Sequence, residues 1–256
     1  MKIFIDTSKL NEIKKINELG VLDGVTTNPS LIKQAVDDLK SKGENIDLED
    51  YIKEICKASG KNKPVSLEVI STDVASMVSE AKLLHKKFNF ANNVVIKIPL
   101  TADGLKAINE LNKSGIKTNA TLIMTVEQAL LAAKAGATYV SPFAGRIDDY
   151  LRSGTEYKKS DYFPAHGTGK DDNGIVSGVD LVRKITDIFE IFKIDTEIIA
   201  ASIRNARQVR EVALAGAHIA TIPFSVINEM LKHSKTDEGI IKFSEDTIPE
   251  YRKIFD

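Results

Sequence analysis

The sequence predicts a single-domain (β/α)8 barrel, and three observations predict it. Short runs rich in β-branched residues recur eight times, each gap between them is long enough for a helix, and 256 residues suit one closed barrel. The first strand begins near Lys2 and ends on Asp6; the second begins near Gly24 and leads to Asn28; the third begins near Pro64 and ends on Glu68. The fourth begins near Asn93 and reaches Lys97, the fifth begins near Ile116 and carries Asn119 and Thr121, and the sixth begins near Thr138 and carries Ser141. The seventh begins near Thr196, with Ser202 and Arg204 following it, and the eighth opens at His218. Helical periodicity is clearest from Thr125 to Gly136, where Thr125 suits the N-cap and Gly136 the C-cap. Beyond Pro223 the chain holds amphipathic helical segments without a further strand. Residues 1–256 are therefore expected to form one domain, with 224–256 a helical tail that covers the barrel or a partner subunit.

Two segments depart from a minimal barrel. Asp37 to Asp50 is polar and charged, and Arg152 to Gly174 is a long connection rich in Gly, Lys, Asp and aromatic residues. The second would leave the strand end just after Arg146, on the face where barrel enzymes do chemistry, as a lid or as a disordered excursion.

The strand Asn93-Val94-Val95-Ile96-Lys97-Ile98-Pro99 places a cation where a pure core would take another apolar residue. An ordinary lysine, with a pKa of about 10.4, is almost wholly an ammonium at neutral pH, and burial can lower that value by ~3 to 5 units. A lysine so freed of its proton attacks carbonyl carbon and forms a Schiff base without metal or organic cofactor. Snorkelling to solvent at a strand end is the alternative for such a residue.

Composition narrows the partners. The 35 Lys and Arg balance 36 Asp and Glu, so there is no basic field for nucleic acid, and an anionic ligand must be met by local arginines. The amino terminus reaches Asp6 before a signal-peptide core could form, and no apolar stretch is long enough to span a bilayer, so a cytoplasmic protein with no membrane partner is expected. The single cysteine, Cys56, sits in a helical-looking segment, excludes an internal disulfide and has no flanking histidine to make it a nucleophile.

Polar residues collect at one end of the predicted strands: Asp6, Asn28, Glu68, Lys97, Asn119, Thr121, Ser141, Ser202 and Arg204. Any one of them could be a cap or a solvated terminus; together they describe a site. The segments Gly24-Val25-Thr26-Thr27-Asn28-Pro29-Ser30-Leu31-Ile32, Val95-Ile96-Lys97-Ile98-Pro99 and Ser141-Pro142-Phe143-Ala144-Gly145-Arg146-Ile147-Asp148 resemble the signatures of the transaldolase family. Thr118-Asn119-Ala120-Thr121-Leu122 and Ala200-Ala201-Ser202-Ile203-Arg204-Asn205 complete the series in family order, so the resemblance runs from Met1 to about Pro223.

The resemblance implies a (β/α)8 barrel, Lys97 as the Schiff-base nucleophile and transfer of a dihydroxyacetone unit between sugar phosphates, with no cofactor and no metal. It implies Asp6 as the acid and base for the C4 hydroxyl, and Glu68 with Thr121 as holders of a water; a salt bridge from Glu68 to Lys97 is the alternative. Asn28, Asn119 and Ser141 would hydrogen-bond the dihydroxyacetone hydroxyls, and Arg146, Ser202 and Arg204 would grip the phosphate, where an arginine fork and a helix start both favour an anion. Arg207 and Arg210 are placed on the solvated face of the following helix. The related fructose 6-phosphate aldolase typically carries Gln where this chain has Glu68 and Tyr where it has Phe143, so the resemblance favours the transferase. Short relatives form pentamers that pair into decamers, and a homo-oligomer is expected here. A non-catalytic sugar-phosphate binding protein is the remote alternative.

The chain has four histidines. His85 and His233 are expected in solvent and His218 packed, none with metal-ligand spacing, while His166 could approach the phosphate if the long insertion folds over the mouth. Asn119-Ala120-Thr121 fits a glycosylation acceptor only by chance, given no signal peptide.

Overall fold

The computed structural model describes residues 1–154 and 171–255. Eight parallel strands close on themselves in chain order: β1 (Lys2–Asp6), β2 (Gly24–Thr26), β3 (Val65–Glu68), β4 (Val94–Pro99), β5 (Thr118–Ile123), β6 (Tyr139–Pro142), β7 (Glu197–Ala200) and β8 (Ile219–Ile222). Pairing of Lys2 with Ile219 and of Phe4 with Thr221 joins the last strand to the first. The outer layer comprises α1 (Leu10–Glu18), α2 (Pro29–Ser41), α3 (Leu48–Ser59), α4 (Val74–Phe88), α5 (Ala102–Lys113), α6 (Val126–Lys134), α7 (Ala144–Arg152), α8 (Gly178–Ile191) and α9 (Ala206–Leu214). After β8 come α10 (Phe224–Met230), α11 (Ser234–Glu245) and α12 (Pro249–Arg252). The chain is a (β/α)8 barrel, as the strand count predicts.

Local chemistry sets the helix starts. Thr125 caps α6 in a full capping box with Gln128, and Asp73, Thr101, Ser177 and Asn205 each accept from a backbone N–H in the first turn of α4, α5, α8 and α9. Gly136, at φ 96°, follows the end of α6 in the left-handed region that ends helices. The polar stretch from Asp37 to Asp50 holds the end of α2, a short link and the start of α3, so two helices rather than one separate β2 from β3.

The two faces of each strand do different work. Outward-facing Ile5, Val25, Ile96, Ile98, Ala120, Val140, Ile198 and Ala220 pack under the helices in one large core. Inward-facing Phe4, Val95, Tyr139, Ile199 and Ile219 form a separate apolar plug near the strand starts. Successive side chains alternate in direction, so the next inward positions on β1, β4, β6 and β8 are Asp6, Lys97, Ser141 and Thr221. An apolar floor thus supports a polar layer at the carboxyl ends of the strands, the face that bears barrel chemistry.

Phe4 fits because its neighbour in register is Gly24: a Cβ there would lie 2.6 Å from the Phe4 ring. Gly24→Ala is expected to cost ~1 to 3 kcal/mol of stability by overpacking the floor, read as a lower denaturation midpoint at unchanged slope.

His218 corrects an expectation. It is exposed rather than packed, because it precedes β8 at the rim, where its Nδ1 accepts from Ile198 N–H at 3.1 Å. His85 is half-buried and bonded to Asn89, and His233 is exposed. His166 and most of the Arg152 to Gly174 connection lie outside the described residues. Among the described residues no helix is long and apolar enough to cross a membrane.

Candidate active site

The polar layer opens into a cavity at the strand ends, lined by Asp6, Asn28, Lys97, Ser141, Phe143, Arg146, Ser202 and Arg204 together with Thr26, Ala201 and Thr221. Most of the residues marked out in the sequence therefore meet at one cavity. Glu68, Asn119 and Thr121 stand behind that wall rather than on it.

Lys97 is 5% exposed, which removes the snorkelling alternative. Its Nζ lies 3.1 Å from Glu68 Oε2 and donates to the Thr27 carbonyl at 3.2 Å. The register of β3 and β4 brings this pair together, since Glu68 is directly opposite Lys97. The lysine is thus buried but not isolated. Attack by its amine requires a proton to leave Nζ, and the Glu68 carboxylate is within reach to take it. The Thr121 hydroxyl, on the strand beyond, is buried without a hydrogen-bond partner among the described residues, so it keeps bonding capacity for a small polar molecule.

Asp6 faces the same space from β1. Thr26 donates to its Oδ1 at 2.7 Å, and Thr26 and Thr221 are themselves hydrogen-bonded, which leaves Thr221 as donor to Thr26. Burial raises the Asp6 pKa above the ordinary 3.8; the Thr26 bond and the nearby Lys97 charge oppose that rise. Sequence reasoning does not single out Thr26 and Thr221. A threonine on a strand is usually read as a β-former, and only closure of the barrel sets β8 beside β1.

The hydroxyl-binding candidates are linked to one another. Ser141 donates to Asn119 Oδ1 at 2.7 Å, and fully buried Asn119 donates to Ser66 Oγ at 3.2 Å. Ser141 reaches the cavity while Asn119 holds it from behind. Asn28 caps α2, its Oδ1 accepting from Leu31 N–H at 2.9 Å, which leaves the amide nitrogen as the end to offer a ligand.

Arginines flank the mouth. Arg146, exposed in the first turn of α7, sits with its guanidinium 5.2 Å from the centre of the Phe143 ring. Arg204 donates to the Ser202 carbonyl and to Asp149 Oδ2, each at 3.0 Å. Ser202 itself adopts φ 64°, an uncommon conformation for a residue with a Cβ. A Cβ on Gly145 would lie 1.9 Å from the Ser202 carbonyl oxygen, so only glycine lets α7 approach this loop. Arg207 and Arg210 are exposed on α9, as the helical pattern predicts.

Cys56 and Asp148 are buried outside the cavity wall. Burial pushes the Cys56 thiol up to about 12, which leaves little thiolate for nucleophilic attack. Burial likewise pushes the Asp148 carboxyl up to about 6, against the bonds it accepts from Gly178 N–H and Gln208. Because the folded-state value is raised, Asp148 contributes stability that is complete below the ordinary 3.8 and is lost as pH rises through about 6. Asp148→Asn is expected to flatten the decline in unfolding free energy across this range by ~2 to 3 kcal/mol, measured by denaturation at several pH values. An unchanged slope would contradict it.

A closed barrel that aims a buried lysine, paired to a carboxylate, into a polar cavity flanked by arginines has the layout of an enzyme site. Residues 3–255 match the family Transaldolase/Fructose-6-phosphate aldolase, and the chain belongs to that family. It is 48% identical over 246 residues to "Probable transaldolase 1" of Bacillus cereus, covering 96% of this chain and 97% of the relative. It is 49% identical over 247 residues to a "Probable transaldolase" of Geobacillus sp., covering 96% and 98% of the two chains. A "Probable transaldolase" of Clostridium botulinum is 48% identical over 255 residues, covering 100% of this chain and 98% of the relative.

Proposed function

We propose that the enzyme is a transaldolase that moves a dihydroxyacetone unit from fructose 6-phosphate or sedoheptulose 7-phosphate to erythrose 4-phosphate or glyceraldehyde 3-phosphate, in the cytoplasmic pentose phosphate pathway. The observation that carries this reading is the placement of Lys97 Nζ, buried beside Glu68 and open to the cavity that Asp6 and the arginines share.

In this mechanism the Lys97 amine attacks the C2 ketone, and loss of water from the carbinolamine gives an iminium. Asp6 takes the proton of the C4 hydroxyl; the C3–C4 bond breaks, its electron pair flows into the iminium, and the aldose phosphate leaves. The enamine then attacks the acceptor aldehyde, Asp6 returns the proton, and water hydrolyses the new iminium to release the ketose. Glu68 accepts the proton that frees the amine and holds the water used in dehydration and hydrolysis together with the Thr121 hydroxyl, which has no partner among the described residues. Asn28 and Ser141 recognise the hydroxyls of the three-carbon unit, with Asn119 holding the Ser141 hydroxyl from behind, and a sugar lacking one would leave a buried group unpaired. Arg146, Ser202 and Arg204 bind the phosphate.

Aldol cleavage to free dihydroxyacetone is the second reading, since the family includes that activity. Phe143 favours transfer: it lines the cavity and carries no hydroxyl with which to activate water against the enamine. Intact mass after borohydride reduction with fructose 6-phosphate distinguishes the outcomes. A stable adduct of dihydroxyacetone mass supports cleavage with retention of the three-carbon unit. Rapid release of free dihydroxyacetone without acceptor would favour the aldolase, and no adduct would return the non-catalytic binding protein.

The oligomer belongs to the same reading. α11 and α12 bury no residue in this chain, and Ile240, Ile241, Phe243, Ile254 and Phe255 are exposed, up to 75% for Phe243. Such a face suits a second copy, in a pentamer or decamer. Deleting residues 232–256 is expected to lower the number of subunits per particle, read as the light-scattering mass divided by the mass of the shortened chain; an unchanged number would count against the tail as the interface.

A further inference from the structure

Gln208 is fully buried, and its side chain is bonded at both ends. Its Nε2 donates to Asp148 Oδ2 at 2.8 Å, and its Oε1 accepts from Arg204 N–H at 2.8 Å. The other Asp148 oxygen accepts from Gly178 N–H at 2.8 Å, at the start of α8. Three helices and the loop carrying Arg204 therefore converge on one carboxylate and one amide. Asp149, the next residue on α7, holds the Arg204 guanidinium directly. α7 thus grips Arg204 twice, by its side chain through Asp149 and by its backbone through Asp148 and Gln208.

The sense of this chain of bonds follows from its charge. A carboxylate only accepts, so ionised Asp148 must face the Gln208 NH2, and the Gln208 oxygen is then turned to the Arg204 N–H. In Asp148→Asn an oxygen is still required by Gly178, so the new NH2 would face the Gln208 NH2. Turning the glutamine over to relieve this would set its NH2 against the Arg204 N–H. Either arrangement leaves donors opposed in a buried site, which is costly.

We propose that Asp148 and Gln208 are positioning residues for the substrate phosphate, a buried relay that orients the Ser202 to Arg204 loop without touching the substrate. The proposal rests on the assignment of Arg204 to the phosphate. It makes a specific forecast about reversal: Asp148→Asn combined with Gln208→Glu restores every bond with the donor and acceptor exchanged. The amide introduced on α7 would keep its oxygen on Gly178 and donate its NH2 to the carboxylate introduced on α9, whose second oxygen would accept from Arg204 N–H.

The test compares wild type, D148N, Q208E, the D148N/Q208E pair and R204A for KM and kcat with fructose 6-phosphate, and for inhibition by inorganic phosphate. Each single relay variant is expected to raise KM and the phosphate inhibition constant by ~10-fold, as for one hydrogen bond to a charged group, with kcat altered by less than about threefold. The paired variant should return both constants to within about threefold of wild type. Should a single variant fail to fold, recovery of folding and of KM in the pair carries the same support. If the pair is no better than the singles, or if the singles leave KM unchanged while R204A raises it, the relay is overturned. If R204A also leaves KM unchanged, the phosphate assignment itself falls and the relay with it.

Discussion

Replacing Lys97 by alanine is expected to reduce kcat by on the order of 10⁴-fold or more, because the variant loses the amine that the proposed mechanism uses to form a covalent intermediate with the ketone. Borohydride with fructose 6-phosphate should leave the mass of the variant unchanged. The substitution also strands Glu68 beside the cavity without the cation opposite it, and breaking such a pair typically costs ~3 to 5 kcal/mol when it is fully buried. A loss of activity could then be mistaken for a loss of fold. Combining Lys97→Met with Glu68→Gln removes both charges at nearly constant volume, and that pair should hold the wild-type melting temperature more closely while remaining inactive. Residual turnover above about one part in a hundred for the folded double variant would show that the chemistry does not pass through Lys97.

The second large effect is expected at Asp6. Asp6→Asn keeps a hydrogen-bonding group of the same shape and removes the proposed proton acceptor, so kcat should fall by ~10² to 10⁴-fold, the usual contribution of a positioned general base. Its pH dependence has a definite sign. In the proposed mechanism cleavage needs the carboxylate, and burial raises the Asp6 pKa from 3.8, so kcat/KM should fall with acid along a limb lying above the ordinary carboxylate range. The Thr26 hydrogen bond works against that rise. Thr26→Val should therefore move the limb to still higher pH, and Thr221→Val, which deprives Thr26 of its own donor, should do so more weakly. A limb that stays in place in Thr26→Val would show that another group controls it.

What can be read in advance follows from the range of the interactions involved. Strand positions, the capping of α6 and the polar ends of the strands are encoded within a few residues, by alternation and by the spacing of caps, and the strand starts near Lys2, Gly24 and Pro64 fall within a residue of those observed. Lys97 is conspicuous for the same reason: a charge in an apolar strand contradicts its neighbours. The supporting residues are not conspicuous. Thr26 and Thr221 are 195 positions apart, and Gln208 and Asp148 are 60 apart. Nothing local distinguishes a threonine that orients a carboxylate from one that favours a strand, or a buried glutamine on α9 from a solvated one.

By itself, then, the amino-acid order determined the barrel, the face that bears the site and the residues whose charge or amide sits at a strand end, because each of these depends on local periodicity and composition. Tertiary structure alone decided which of those groups are partners. It paired Lys97 with Glu68 through the register of β3 on β4 and tied Asp6 to β8 through barrel closure. It also set Asn119 behind Ser141 rather than in the cavity wall and joined Arg204 to α7 through Gln208. Those outcomes depend on angstrom-scale distances between segments far apart in the chain, which only the closed and packed barrel defines.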